Sequence, residues 1–261
     1  MFISREMYLK KIRNEKRTVT FFRFLIIAIF IGCWEVLARI NVINTFTFSS
    51  PSNVIAAIIA LKSNLLLHIG VTLYETLLSF VLSIFIGLSI STLLWFKPII
   101  SKIVDPYLTV LNSLPKVSLG PLIIIWIGAS RNSIIFMSLL ISTFIIIINI
   151  YNGFISTDKN YITLMKSFGA SKWQIFRKVI LPSNAFTLIN SLKVSISMNL
   201  IGVIMGELLV SKEGIGYLIM YGSQVFNIDL VIAGVFILGI ISYFMYFIIN
   251  KLEKLILLEN F

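Results

Sequence analysis

The sequence predicts an all-α, polytopic membrane protein with six transmembrane helices. Of its 261 residues 58% are hydrophobic, and the mean hydropathy of +0.98 lies far above that of a soluble globular domain. Six apolar segments long enough to cross a bilayer as helices follow one another along the chain. The net charge of +11 does not indicate nucleic-acid binding, because the sequence does not interleave basic and aromatic residues on a soluble surface. Uneven placement of charge about a membrane explains it better.

The first predicted span follows a basic tail. Residues 1–20 contain Arg5, Lys10, Lys11 and further basic residues, so the positive-inside rule places the N-terminus in the cytoplasm. Residues 21–39 form the first span, and we expect it to stay in the membrane because no small-residue cleavage site follows it. The rest of residues 21–66 is an external segment, in which Pro51 after two serines predicts an extended turn and then a short helix.

The other five spans are predicted at residues 70–96, 103–127, 133–150, 185–210 and 229–250. With their loops they make a transmembrane domain at residues 67–254, which a cytoplasmic tail at residues 255–261 follows. Most of the 22 Lys and Arg residues then lie inside or near the inner surface, whereas the external loops hold Lys62, Arg131 and Lys212. This asymmetry supports six spans with both termini in the cytoplasm.

The third span differs from the others because it contains Pro106, Pro115, Gly120 and Pro121. Proline inside a helix leaves carbonyl groups unpaired, and lipid does not tolerate unpaired backbone groups. This span must therefore be buried among other helices or line a wet cavity. We predict that it forms one wall of a polar pathway.

Four ionisable residues are predicted at membrane depth, where an unpaired charge costs about 2.5 to 3.5 kcal/mol: Glu75, Lys116, Lys193 and Glu207. Two are acidic and two are basic, so structural ion pairs are one interpretation. In the other interpretation Lys116 and Lys193 give a central cavity a positive potential that suits an anion or a polar solute. The residues assigned to the pathway are Glu75, Pro115, Lys116, Pro121, Lys193 and Glu207.

A basic cytoplasmic loop at residues 154–182 joins the fourth and fifth spans. Its first apolar stripe ends at Gly169, the residue type that best tolerates a left-handed turn at the end of a helix. Trp173, Phe176 and Ile180 then recur at helical spacing. The pattern predicts a helix, a glycine turn, a second helix at residues 171–179 and a stop at Pro182. A basic hairpin that lies on anionic lipid explains these features equally well.

The spacing of Gly169, Val179 and Leu181-Pro182 resembles the EAA loop of permease subunits of binding-protein-dependent ABC importers. In that family the first helix of the loop is the coupling helix, which docks on the ATP-binding subunit. The three positions that give the loop its name are Thr163, Leu164 and Met165 here, so the leading Glu-Ala-Ala is absent. The resemblance assigns coupling to Thr163, Leu164, Met165, Lys166, Phe168, Gly169, Val179, Leu181 and Pro182.

Further motifs are similar to the nitrate, sulfonate and taurine branch of these permeases. The resemblance covers roughly residues 67–254, and it implies a type I ABC importer permease-like fold in a bacterial inner membrane. It also implies pairing of two permeases, a separate ATPase subunit that binds ATP and Mg, and an external solute-binding protein or lipoprotein. The motifs are His68 to Leu73, Asp105-Pro106, Leu114-Pro115-Lys116, Gly120-Pro121-Leu122, Trp126-Ile127-Gly128, and Glu207-Leu208 with Gly214-Ile215-Gly216.

The turn at Gly214 and Gly216 is external in this topology. It has two interpretations of equal weight. The turn is a tight loop, or it is part of a gate or of the surface that an external binding protein contacts.

Other functions fit the sequence less well. The chain contains no G-x-x-x-x-G-K-[ST] phosphate loop, and one cysteine and one histidine cannot build a thiolate metal site or an intramembrane Ser-His-Asp triad. We therefore expect no enzyme and no cofactor in this chain. An ion-gradient-driven secondary transporter is the alternative, although the two halves show no repeat. A membrane-anchored scaffold leaves the proline-broken span unexplained. The solute stays open among nitrate, sulfonates, taurine and vitamin precursors.

Overall fold

The structure is a computed structural model that describes the backbone of residues 5–258 and the side chains of residues 12–251, 253 and 254. All regular secondary structure in this part of the chain is helical. The predicted basic tail begins outside the described residues, and the side chains of Arg5, Lys10 and Lys11 are not among those described. The same holds for the side chains of the C-terminal tail at residues 255–261.

Thirteen α-helices, a 3₁₀ turn and a π-helical turn make up the described chain. In order they are α1 (Arg5–Arg39), α2 (Thr45–Phe48), α3 (Pro51–Ala60), α4 (Leu65–Phe96), α5 (Pro98–Ser113), the 3₁₀ turn (Lys116–Leu119), α6 (Gly120–Ile127), α7 (Arg131–Ile155), α8 (Lys159–Ser167), α9 (Lys172–Ile175), the π turn (Phe176–Ile180), α10 (Leu181–Ser183), α11 (Ala185–Val210), α12 (Ile215–Gln224) and α13 (Ile228–Leu258).

The six-span pattern is confirmed. The helices α1, α4, α7, α11 and α13 are each long and apolar enough to cross a membrane, and the sixth span is the broken pair of α5 with α6. Its two halves are bent by 84°. The break lies at Leu114 and Pro115, whereas Pro106 lies inside α5 without interrupting it. Except for α11, the observed helices extend beyond the predicted spans, most clearly α1, because polar end residues continue the helix after the apolar core stops.

The external segment after α1 forms the predicted short helix. Pro51 is the first residue of α3, and the side chain of Ser50 caps it by accepting the N–H of Asn53. The Ser49 hydroxyl donates to the carboxylate of Asp229 at 2.5 Å, which attaches the segment to the start of α13. The position of this segment relative to α13 is therefore fixed by a side-chain contact.

The core consists of α4, α7 and α11, which approach closely through small residues. A Cβ atom on Gly206 of α11 would lie 2.9 Å from the Cα of Ile134 on α7, and one on Gly87 of α4 would lie 2.5 Å from a side-chain methyl of Ile146. Only glycine fits at these positions. Close backbone approach of this kind supplies packing between membrane helices, where the hydrophobic effect does not drive association.

A buried amide links the same three helices. The side-chain oxygen of Asn199 on α11 accepts hydrogen bonds from Ser138 at 2.9 Å and from Ser142 at 3.0 Å, both on α7. Its N–H group donates to the hydroxyls of Ser83 on α4, at 2.9 Å, and of Ser195. All five side chains are fully buried. Asn199 therefore satisfies its polar atoms entirely through the three core helices.

We expect Asn199→Leu to lower the free energy of unfolding by about 1–3 kcal/mol, because several interhelical hydrogen bonds are lost together and each is worth up to about 1.7 kcal/mol in membrane proteins. Thermal unfolding of the purified chain in detergent measures the change. Asn152→Leu, the same substitution at an exposed position of α7, is the control. Equal stability of the two variants would contradict the role given to Asn199.

Candidate functional site

The segment between α7 and α11, which the sequence predicts to be cytoplasmic, folds as two helices joined by a glycine turn. At the end of α8 the N–H of Ala170 donates to the carbonyl of Met165 at 3.0 Å, and the N–H of Gly169 donates to that of Lys166 at 2.9 Å. This is a Schellman motif, which requires a left-handed residue, and Gly169 has φ +75°. Ser171 then opens the next helix in a capping box. The predicted helix, glycine turn and second helix are confirmed.

The sequence predicted that the second helix stops at Pro182, and this prediction is wrong. The helix continues through the π turn into α10, so Pro182 lies inside it, and the break comes at Asn184. The wider π turn before Pro182 accommodates a ring that would clash with the preceding turn of an α-helix. At the break the Asn184 side chain donates to the hydroxyl of Thr157 at 2.7 Å, which joins the two ends of the segment.

The segment is anchored on the C-terminal ends of α4 and α7. The ring of Phe176, which is 3% exposed, lies 5.2 Å from that of Trp95 and 5.4 Å from that of Phe154. Ile162 and Met165 of α8 pack against the same cluster. Together with the contact between Asn184 and Thr157, this packing ties α8 to both α7 and α11. We therefore expect a displacement of α8 to be transmitted to both helices.

Another face of α8 is apolar and unpacked. Tyr161, Leu164 and Phe168 recur at spacings of three and four, so they share one face, and they are 58%, 52% and 77% exposed. We call these three residues the α8 apolar surface. Large side chains are not expected to face water together on a short cytoplasmic helix unless another molecule covers them.

The predicted coupling residues divide between this surface and the interior. Met165 and Leu181 are half-buried and pack on the Phe176 cluster, and Val179 is also half-buried, so these positions hold the segment in place. The remaining six are exposed: Thr163, Leu164, Lys166, Phe168, Gly169 and Pro182.

At the opposite end of the core, Glu207 fastens the turn that follows α11. Its carboxylate accepts the Thr72 hydroxyl of α4 at 2.7 Å and the N–H of Gly216 at 2.6 Å. Thr72 in turn accepts the N–H of Ile215 at 2.9 Å. Glu207 is 1% exposed. The carboxylate therefore ties α4 and α11 to the turn before α12. Its assignment to the pathway stays a prediction.

Glu75 has a similar position on α4. Its Oε1 atom accepts the Nε–H of Arg131, at the start of α7, at 3.1 Å, and an Nη atom of Arg131 lies 3.9 Å from the carboxylate of Glu213. Glu75 is 1% exposed, and with Arg131 and Glu213 it lines a cavity of about 310 Å³ at this end of the bundle. Its assignment to the pathway stays a prediction. We call Thr72, Glu75, Arg131, Glu207 and Glu213 the external clasp. It joins α4, α7 and α11 to the loop before α12.

The glycine turn is a tight, buried loop, and its role in a gate or in the surface that a binding protein contacts stays a prediction. Gly214 has φ +101°, and its N–H donates to Nδ1 of His68 at 3.0 Å. Gly214 and Gly216 are both buried, and side chains at either position would collide with Glu207. The loop exposes Lys212 and Glu213 instead, so these are the residues that a partner on this face can contact.

The two intramembrane lysines differ in their partners. Nζ of Lys193 lies 2.6 Å from the carboxylate of Glu253 on α13, and both side chains are largely enclosed. The partner Glu253 is not one of the four charges predicted at membrane depth, so both interpretations of those charges stay open. Lys116 lies at the break of the third span, half-buried, and its Nζ contacts the side-chain oxygen of Asn112 at 3.3 Å. Pro115 and Pro121 flank it and are exposed.

Sequence reasoning missed three residues that organise these regions. Arg131 was assigned to an external loop but not paired with Glu75, and Asn184 and Asn199 were not singled out. A usable signal existed for Arg131, because a buried acid near one end of a span calls for a basic residue at the same membrane level. The two asparagines carry no comparable pattern, because their contacts depend on how the helices are rotated.

Residues 79–257 match the protein family described as binding-protein-dependent transport system inner membrane component. A protein of Haemophilus influenzae named as a probable ABC transporter permease protein is 31% identical, over 87% of this chain and 93% of that protein. The formylaminopyrimidine transport permease protein ThiX of Halalkalibacterium halodurans is 29% identical, over 86% and 90%. A protein of Bacillus subtilis named for aliphatic sulfonates transport, SsuC, is 26% identical, over 89% and 85%.

The fold resembles a solved structure of the MetNI methionine ABC transporter. The superposition has a TM-score of 0.66 at 19% sequence identity, and it covers 97% of the MetNI chain but 75% of this one. The all-helical fold expected from the sequence is thus shared with a type I importer permease. About a quarter of this chain lies outside the matched region.

Proposed function

Because the chain belongs to the family of inner membrane components of binding-protein-dependent transport systems, and is the permease subunit of an ABC importer, we propose that a separate ATP-binding subunit drives it through the α8 apolar surface. The solute is small and polar or anionic, and the membrane is a bacterial inner membrane. ATP and Mg bind in the partner subunit, and an external binding protein delivers the solute.

The α8 apolar surface is the observation that supports this coupling. Its three large side chains are exposed along α8, and the other apolar side of this helix packs on the Phe176 cluster. A helix of this kind fits an apolar groove on a partner. Because α8 is tied to α7 and α11, closure of an ATPase pair on it moves the core helices and alternates the opening of the pathway.

A second copy of the chain completes the pathway in this proposal. The broken span presents large exposed side chains, among them Ile125 at 80% and Trp126 at 73%. Its bent backbone is compatible with lipid only when protein or a wet cavity covers it. Two copies that meet along this span satisfy that requirement and enclose a route between them.

The relatives favour a solute with a small polar or charged group. ThiX is named for formylaminopyrimidine and SsuC for aliphatic sulfonates, so the chemistry carried by similar permeases is not uniform. Selection of the solute is expected to depend in part on the external binding protein. Nitrate and taurine stay within the same proposal.

We expect the tagged chain, isolated from its native membrane in mild detergent, to bring down an ATP-binding subunit that mass spectrometry identifies. The isolated complex in proteoliposomes, with its binding protein, should then take up methanesulfonate, nitrate, taurine or formylaminopyrimidine when ATP is supplied. Uptake that persists without ATP and collapses when an ion gradient is dissipated would overturn the proposal in favour of a secondary transporter.

A further inference from the structure

Lys116 places a positive charge near the middle of the membrane. Its Nζ contacts the backbone carbonyl of Ile141 on α7 at 3.4 Å and lies 5.4 Å from the centroid of the Phe144 ring. Ile141 is about 15 Å from the outer end of α7, at a rise of about 1.5 Å per residue. The apolar core of a bilayer is about 30 Å thick, so the amine lies near its midplane.

The partners of this amine are neutral. They are the Asn112 side-chain oxygen, the Ile141 carbonyl and the Phe144 ring, and none of the carboxylates with described side chains forms an ion pair with it. Other cations along the spans do have acidic partners, since Lys193 pairs with Glu253 and Arg131 with Glu75. A charge without a partner at this depth costs about 2.5–3.5 kcal/mol on insertion scales. Such a cost indicates a functional role.

The chain on both sides of Lys116 is exposed. Lys116 is half-buried, and its neighbours Pro115 and Val117 in the chain are exposed at the 84° bend. Ser118, in the same 3₁₀ turn, is exposed as well. An ammonium group suits an oxyanion, because it is a compact charge that is not held in one bidentate geometry. A single such charge binds weakly enough to release the ion again.

We propose that Lys116 is an anion-binding residue of the permease itself and selects for solutes that carry a sulfonate, carboxylate or similar oxyanion. This inference rests on the proposed transport function for its physiological meaning. It goes beyond that function by assigning part of the solute selectivity to the membrane subunit. The long contacts with Asn112 and Ile141 hold the amine in place until an anion arrives.

The first test measures binding without transport. Reductive methylation with ¹³C-formaldehyde labels the lysines of the purified chain and keeps their charge. The Lys116 signal is the one that disappears in the Lys116→Arg variant. Titration with methanesulfonate should shift this signal and leave that of Lys102, an exposed lysine of α5, unchanged. Formylaminopyrimidine, the uncharged probe, should shift neither. A titration that moves both lysine signals alike, or neither, overturns the proposal.

The second test measures selectivity in the assembled transporter. We expect Lys116→Met to lower ATP-driven uptake of methanesulfonate about tenfold, the effect of losing one charge-assisted contact. Lys116→Arg should retain most of the wild-type uptake of methanesulfonate. Lys102→Met, the control, should have no effect on it. Uptake of formylaminopyrimidine by Lys116→Met should fall much less than uptake of methanesulfonate, and the Lys102 variant should leave ATP hydrolysis and both uptake rates unchanged. Uptake of methanesulfonate by Lys116→Met at the wild-type rate overturns the proposal.

Failure of the transport proposal has a different signature. If no ATP-driven uptake of any probe occurs but methanesulfonate still shifts the Lys116 signal, the anion site stands and the transport function does not. If ATP-driven uptake is restricted to formylaminopyrimidine and the Lys116 signal does not respond, the transport function stands and the anion site does not.

Discussion

Replacing both Leu164 and Phe168 by aspartate is expected to separate this chain from its ATP-binding subunit and to abolish ATP-driven uptake. Both side chains are more than half exposed, so the substitutions leave the packed side of α8 intact. In an apolar groove each new carboxylate would lose water without gaining a partner, and substitution of an interface anchor costs about 2 kcal/mol or more. If the two costs add, they weaken binding by about a thousandfold or more. Co-purification and the uptake assay measure the two losses.

A control variant separates docking from general damage. Ser156→Asp with Ser183→Asp adds the same two charges at exposed positions of the cytoplasmic segment outside α8. It should retain the ATP-binding subunit. Ile162→Asp, on the packed side of α8, should instead reduce the amount of folded chain. If the Leu164 and Phe168 variant inserts normally and still copurifies with the ATP-binding subunit, docking through the α8 apolar surface is wrong.

Local chemistry explains why the cytoplasmic segment was predictable. Gly169 closes α8 because the turn needs a positive φ, and Phe176 and Ile180 are buried because their spacing places them on one face. Both signals lie within a few residues of their effect. The α11 span was likewise read from the length of its apolar run, and its predicted bounds are those observed. Features set by neighbouring residues are therefore recoverable from one sequence.

The contacts across the bundle were not predictable, because they depend on how helices are rotated and how deep they lie. Lys193 and Glu253, or Arg131 and Glu75, are far apart in sequence, and no local pattern joins them. The residues of α12 lie between the predicted fifth and sixth spans and were predicted as part of an external loop, because their helical structure also depends on tertiary packing. The glycines of α12 lower its intrinsic helix propensity, and packing of the buried Leu218 compensates for that.

The second large effect is expected at the external clasp. Arg131→Gln should raise the rate of ATP hydrolysis by the assembled transporter in the absence of its binding protein. Arg131 is the donor to the enclosed carboxylate of Glu75, and removing it leaves a buried acid unsatisfied at a cost of about 1–3 kcal/mol. If the clasp closes the outer side at rest, that cost shifts the population toward the outward-open state, by about 5- to 150-fold.

Rescue distinguishes a clasp from a merely damaged protein. Replacing both members of a buried pair with neutral groups of similar shape is close to neutral, so Glu75→Gln combined with Arg131→Gln should return basal hydrolysis toward the wild-type rate. Glu213→Gln should have a small effect, because Glu213 is half exposed and lies 3.9 Å from Arg131. Lys212→Gln removes a neighbouring exposed charge and should have none. If Lys212→Gln raises basal hydrolysis as much as Arg131→Gln, the effect comes from the charge of the outer surface. The pairing of Arg131 with Glu75 is then not what holds the outer side closed.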